Sequence, residues 1–88
     1  MVSAPPGLTF PTDYPVKVLG RPDAEFRRRV HEIVLRHAPD LTAARLTERL
    51  SANGNYLALT YLLAAHSRAQ LEALVAELKA CEGVLLLL

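Results

Sequence analysis

Residues 44–65 read ARLTERLSANGNYLALTYLLAA, and the way this stretch pairs with itself decides the fold. Asn53-Gly54 predicts a type I′ turn, because both central residues of that turn need a positive φ. The turn sets Ala52 opposite Asn55, and the register follows outward. Leu50, Glu48 and Leu46 then oppose Leu57, Leu59 and Tyr61 on one side. Ser51, Arg49, Thr47 and Arg45 oppose Tyr56, Ala58, Thr60 and Leu62 on the other. The first set is bulky and apolar apart from Glu48, and the second carries both arginines. Turn chemistry and side-chain sorting therefore point to one hairpin.

Upstream, YPVKVLG (14–20) alternates Val16 and Val18 against Lys17 and Leu19, a strand stopped by Gly20. GRPDAEF then opens a helix, with Pro22 suited to the first turn and Asp23 and Glu25 suited to the positive end of its dipole. Phe26, Val30, Ile33, Val34 and His37 form one apolar stripe, and Pro39 ends the helix. Downstream, Ser67 and Gln70 make a capping box. Leu71, Leu74, Val75 and Leu78 mark a second amphipathic helix, and Gly83 stops it. The chain closes on VLLLL (84–88), a last strand. Five apolar residues are far short of the roughly 20 that cross a bilayer.

The order β-α-β-β-α-β, with both helices apolar on one side only, predicts an α+β ferredoxin-like sandwich. Its four-stranded antiparallel sheet has order 4-1-3-2 and both helices on one face. Residues 1–9, rich in Pro and small side chains, read as a flexible arm, and 10–88 as one domain. Simple alternation along the last strand turns Val84, Leu86 and Leu88 toward the helices and Leu85 and Leu87 toward the uncovered face. That face also receives Lys17, Leu19, Ala58, Thr60, Leu62 and Ala64. An apolar patch in water suggests an interaction site, so a homodimer through the open face or the strand-4 edge is expected. The alternative is that the arm folds back over the patch.

Composition narrows the function classes. The 88 residues carry a formal charge of +1, from ten basic and nine acidic residues, and 51% are hydrophobic. Near-balanced charge predicts no bulk attraction to nucleic acid or membrane. One cysteine, Cys81, and the absence of a basic-then-apolar leader predict a cytoplasmic protein.

FPTDYPVKVLG (10–20), VLRHAP (34–39) and SANGNY (51–56) resemble the YbeD-like family of small bacterial proteins over roughly residues 9–88. The resemblance implies a ferredoxin-like fold similar to ACT regulatory domains. It also implies a link to lipoate biosynthesis, of which members are often described as regulators. Matching positions are Phe10, Pro11, Lys17, Gly20, His37, Ala38, Pro39, Ser51, Gly54, Asn55 and Tyr56. The chain departs from the family at Leu50 (often Pro), Asn53 (often Lys) and Leu85 (often basic). The loss of charge at 53 weakens an anion site at the hairpin, and Leu85 makes the open face more apolar.

Catalysis and metal binding find little support. His37 and His66 share one end of the fold but match no ligand spacing, and His31-Glu32 fails as HExxH because residue 35 is Leu. Arg21 and Asn55 resemble parts of an acylphosphatase, yet GRPD is too short to cradle a phosphate. An RRM-like RNA binder would need aromatics across the open face, and only Tyr56 stands there. Arg27, Arg28 and Arg29 spread around the helix, and Glu25–Arg29, Arg28–Glu32 and Glu32–Arg36 are i,i+4 pairs, a solvated helix face. No catalytic residue, cofactor or metal is therefore assigned. The reading is a non-enzymatic regulatory or adaptor module that dimerises and binds a partner protein or small effector. The residues assigned to contact are Lys17, Leu19, Arg21, Asn55, Tyr56, Leu62, Leu85 and Leu87.

Overall fold

The computed structural model describes residues 9–88. In chain order the elements are β1 (Thr12–Gly20), α1 (Ala24–His37), a 3-10 turn (Ala43–Arg45), β2 (Leu46–Leu50), β3 (Leu57–Ala65), α2 (Arg68–Ala80) and β4 (Val84–Leu87). The sheet order is β2-β3-β1-β4, and every pairing is antiparallel. This is the ferredoxin-like sandwich. The expected arm at 1–9 lies almost wholly outside the described residues.

The hairpin register is the one the sequence predicts: Leu46, Thr47, Glu48, Arg49 and Leu50 pair with Tyr61, Thr60, Leu59, Ala58 and Leu57. The turn differs. Only Gly54 has a positive φ, at 74°. The Gly54 N–H donates to the Ser51 carbonyl, and the Ser51 N–H to the Tyr56 carbonyl, both at 2.9 Å. The Ser51 hydroxyl accepts from the Tyr56 N–H at 3.0 Å, replacing its own carbonyl in the ladder. A four-residue loop closed by a serine keeps Ser51 opposite Tyr56, so the register survives without a type I′ turn.

The helices form where predicted and bury their stripes: Phe26, Val30, Ile33 and Val34 from α1, and Leu71, Leu74, Val75 and Leu78 from α2. They meet Val16, Val18, Leu57, Leu59, Tyr61 and Leu63 of the sheet in one core. The α1 cap is Asp23, whose Oδ1 accepts from the Glu25 N–H at 2.7 Å; Pro22 stands before the cap rather than in the first turn. Ser67 caps α2 by accepting from the Gln70 N–H. On α1, Arg28 bridges Glu25 and Glu32 at 2.8 and 2.7 Å. Arg36 leaves its expected partner Glu32 and pairs with Glu77 of α2.

Tyr61 is fully buried, and its hydroxyl has no protein partner among the described residues. Burial pushes the phenol up to about 12; Glu48 adds to the rise and Arg27 opposes it. A raised folded-state pKa favours the fold while the phenol is protonated, so that contribution is complete below the unfolded value near 10 and is lost as pH climbs toward 12. Urea titrations should show a loss on the order of 2 kcal/mol between those limits that Tyr61→Phe abolishes. An unchanged pH slope in Tyr61→Phe would contradict the assignment.

The last strand corrects the expected facing. Val18 opposes Leu87 and Leu19 opposes Leu86, but Gly20 opposes Val84, which leaves Leu85 as a bulge. Lys17 and Leu88 exchange both backbone hydrogen bonds, at 3.0 and 2.8 Å. Inserting one residue inverts the alternation beyond it. Val84 still packs on the core, Leu87 turns inward and is buried, and Leu86 and Leu88 turn to the open face. Leu87 is a core residue, not a contact residue.

Candidate functional site

The open face is built from alternate residues of each strand. β1 contributes Asp13, Pro15, Lys17 and Leu19, and β3 contributes Ala58, Thr60, Leu62 and Ala64. β2 contributes Thr47 and Arg49, with Arg45 at its mouth. β4 contributes Leu86 beside Leu19 and Leu88 beside Lys17. Among the described residues no helix covers this side, and its leucines stay in water: Leu62 is 38% exposed, Leu86 47% and Leu88 54%. Leu85 projects from the bulge at 53%.

The face sorts by chemistry. Leucines dominate the β1–β4 half, and cations line the β2 edge, with Lys17 between them. Of nine acidic residues in the chain, only Asp13 holds a strand position here, and Arg45 binds it at 2.9 Å. Among the described residues no carboxylate pairs with Lys17 or Arg49. At the hairpin end, the Arg21 guanidinium sits 5.3 Å from the Tyr56 ring centroid and ties the β1–α1 loop to the hairpin. Asn55 is exposed at the tip.

The structure thus brings Lys17, Leu19 and Leu62 onto one surface and stacks Arg21 on Tyr56 at its rim. It removes Leu87 and supplies Leu86 and Leu88, which sequence reasoning sent to the helices. Nothing in a run of four leucines distinguishes one alternation from the other, so no sequence signal could have found them.

The motifs behind the family resemblance mostly build the frame. Ser51 closes the hairpin. The His37 carbonyl accepts from Gln70 Nε2, and His37 Nε2 meets Glu77 Oε1, both at 2.7 Å, joining α1 to α2. His66 lies 3.5 Å from Asp40, so the two histidines have separate partners. Among the described residues no three His, Cys, Asp or Glu side chains gather as a metal site, and no helix is long and apolar enough to cross a membrane. Cys81 is half-buried against the core.

A family model described as "Protein of unknown function (DUF493)" matches residues 5–88. A UPF0250 protein of Ectopseudomonas mendocina is 44% identical over 77 residues, 86% of this chain and 84% of the relative. One of Hahella chejuensis is 37% identical over 83 residues, 94% of this chain and 91% of the relative. Among solved structures, the C-terminal domain of the MgtC protein from Mycobacterium tuberculosis superposes with a TM-score of 0.65 at 26% identity, covering 92% of this chain and 88% of that one. The chain belongs to the DUF493 family, the YbeD-like small bacterial proteins that its FPTDYPVKVLG, VLRHAP and SANGNY motifs resemble.

Proposed function

We propose that the protein is a non-enzymatic regulatory or adaptor module that acts by covering its open sheet face, pairing through it with a second copy when no other partner is bound. The observation that carries this reading is the set of leucines, Leu19, Leu62, Leu86 and Leu88, on a sheet face that no helix of the described residues covers. Apolar side chains gathered on one exposed surface favour association. The β4 edge is the weaker route, because a strand of four residues with a bulge at Leu85 offers a short and twisted template. The link to lipoate metabolism is inherited from the family resemblance.

Light scattering on a sizing column tests the pairing. The wild type should approach twice the 9.7 kDa chain mass as concentration rises. Leu86→Lys/Leu88→Lys should stay at the monomer mass with unchanged circular dichroism. A wild type that is monomeric at every concentration would refute self-pairing.

A further inference from the structure

We propose that the natural occupant of the open face is an acidic amphipathic segment of another protein, its apolar side chains on Leu19, Leu62, Leu86 and Leu88 and its carboxylates on Lys17 and Arg49. The proposal rests on the reading of this face as the docking surface and adds the chemistry of the partner.

Charge is the first argument. The chain as a whole is nearly neutral, at +1. The side chains of its open face are not: three cations (Lys17, Arg45 and Arg49) stand against one anion, Asp13, and that anion is held by Arg45. Eight of the nine acidic residues lie elsewhere, which follows from nine in the chain less Asp13. A second copy would bring the same positive face and set cation toward cation, at a cost that an acidic partner avoids. Self-pairing on this face is accordingly the weaker state, and a segment carrying carboxylates displaces it.

Shape is the second argument. Same-face residues on a strand stand about 7 Å apart. Successive residues on one helix stripe stand about 5–6 Å apart, so one helix can lay its apolar side along the Leu19, Leu86 and Leu88 strip. Lys17, flanked by Leu88 on one side and Thr60 on the other, can reach a carboxylate at the edge of that stripe while its methylenes stay on the apolar surface. Arg49 stands on the far side of Ala58 from Leu19 and can reach a second one.

The same face is poorly made for nucleic acid. Base recognition on an open sheet uses aromatic platforms in its middle. Here the middle holds Lys17, Thr60, Leu19 and Ala58, and the aromatic ring nearest the face, Tyr56, sits at the rim with Arg21 against it.

The test uses the full-length protein and a fluorescent Leu/Glu amphipathic helical peptide, read by anisotropy beside a Leu/Lys peptide and a single-stranded RNA of similar length. The Leu/Glu peptide should bind, and raising salt from about 0.05 to 0.5 M should weaken it, because screening shrinks the attraction. Self-association of the free protein should hold or strengthen over the same range, because screening there relieves repulsion. Lys17→Glu/Arg49→Glu should weaken the Leu/Glu peptide roughly tenfold. That variant should keep its circular dichroism spectrum. Leu86→Lys/Leu88→Lys should abolish both kinds of binding. Equal or tighter binding of the Leu/Lys peptide would overturn the proposal. So would RNA binding that responds to the same variants, or Leu/Glu binding indifferent to Lys17→Glu/Arg49→Glu. Self-association without peptide binding would overturn the acidic partner and leave the docking face standing; loss of both would overturn both.

Discussion

Leu87→Lys should unfold the protein or cost it about 4 kcal/mol, whereas Leu85→Lys in the same run should change stability by about 0.5 kcal/mol. Leu87 is only 9% exposed and lies opposite Val18, which is fully buried, on the side facing the helices. Lysine there removes a packed isobutyl group and places an ammonium among apolar neighbours with no carboxylate to meet it. Leu85 occupies the bulge at 53% exposure, where a lysine head stays in water. Urea midpoints at constant m-value measure the contrast. Uninterrupted alternation along the strand puts both residues on the same face and predicts equal effects, so matching midpoints would refute the bulge.

Gly20→Ala should cost about 2–4 kcal/mol, a large loss for one added methyl group. A Cβ at Gly20 would lie 2.4 Å from Cε1 and Cζ of Phe26 and 2.6 Å from the Gly83 carbonyl oxygen. Phe26 is 2% exposed in the core and has little room to turn away. The Gly83 carbonyl is backbone at the entrance to β4, so relieving the clash means shifting that strand. Gly54→Ala makes the internal comparison: no atom stands within 4 Å of its Cβ, and only the φ of 74° resists the change. It should cost about 1 kcal/mol. Thermal or urea melts rank the two, and a Gly20→Ala protein as stable as Gly54→Ala would rule out the close approach. Because Leu86 and Leu88 ride on β4, the Gly20→Ala variant should also associate more weakly than wild type.

Local pattern was enough wherever neighbouring residues differ in kind. Across the hairpin Leu46 and Leu50 face the helix side opposite Tyr61 and Leu57, and a slip of one residue would set Arg45 and Arg49 there in their place. That penalty set the register even though the turn itself took another form, with the Ser51 hydroxyl in place of a second positive φ. The two helical stripes and the Ser67 cap were legible for the same reason: each is a contrast between adjacent side chains. The Asp23 cap was not, because the sequence placed Pro22 in the first turn, and α2 ends on Ala80, before Gly83.

Residues 85–88 carry no such contrast. Four leucines are equally content on either face, so the chain alone determines that a fourth strand exists and leaves open which leucines it shows. Tertiary structure made that choice. The close approach of Gly20, Phe26 and Gly83 places the start of β4, and the pairing of Lys17 with Leu88 places its end. One residue too many lies between those two points, and it leaves the ladder at Leu85. Leu87 is thereby committed to the core and Leu86 and Leu88 to the face where this protein is proposed to dock. The sequence determined the fold; only the packing of the strand ends decided which leucines meet water.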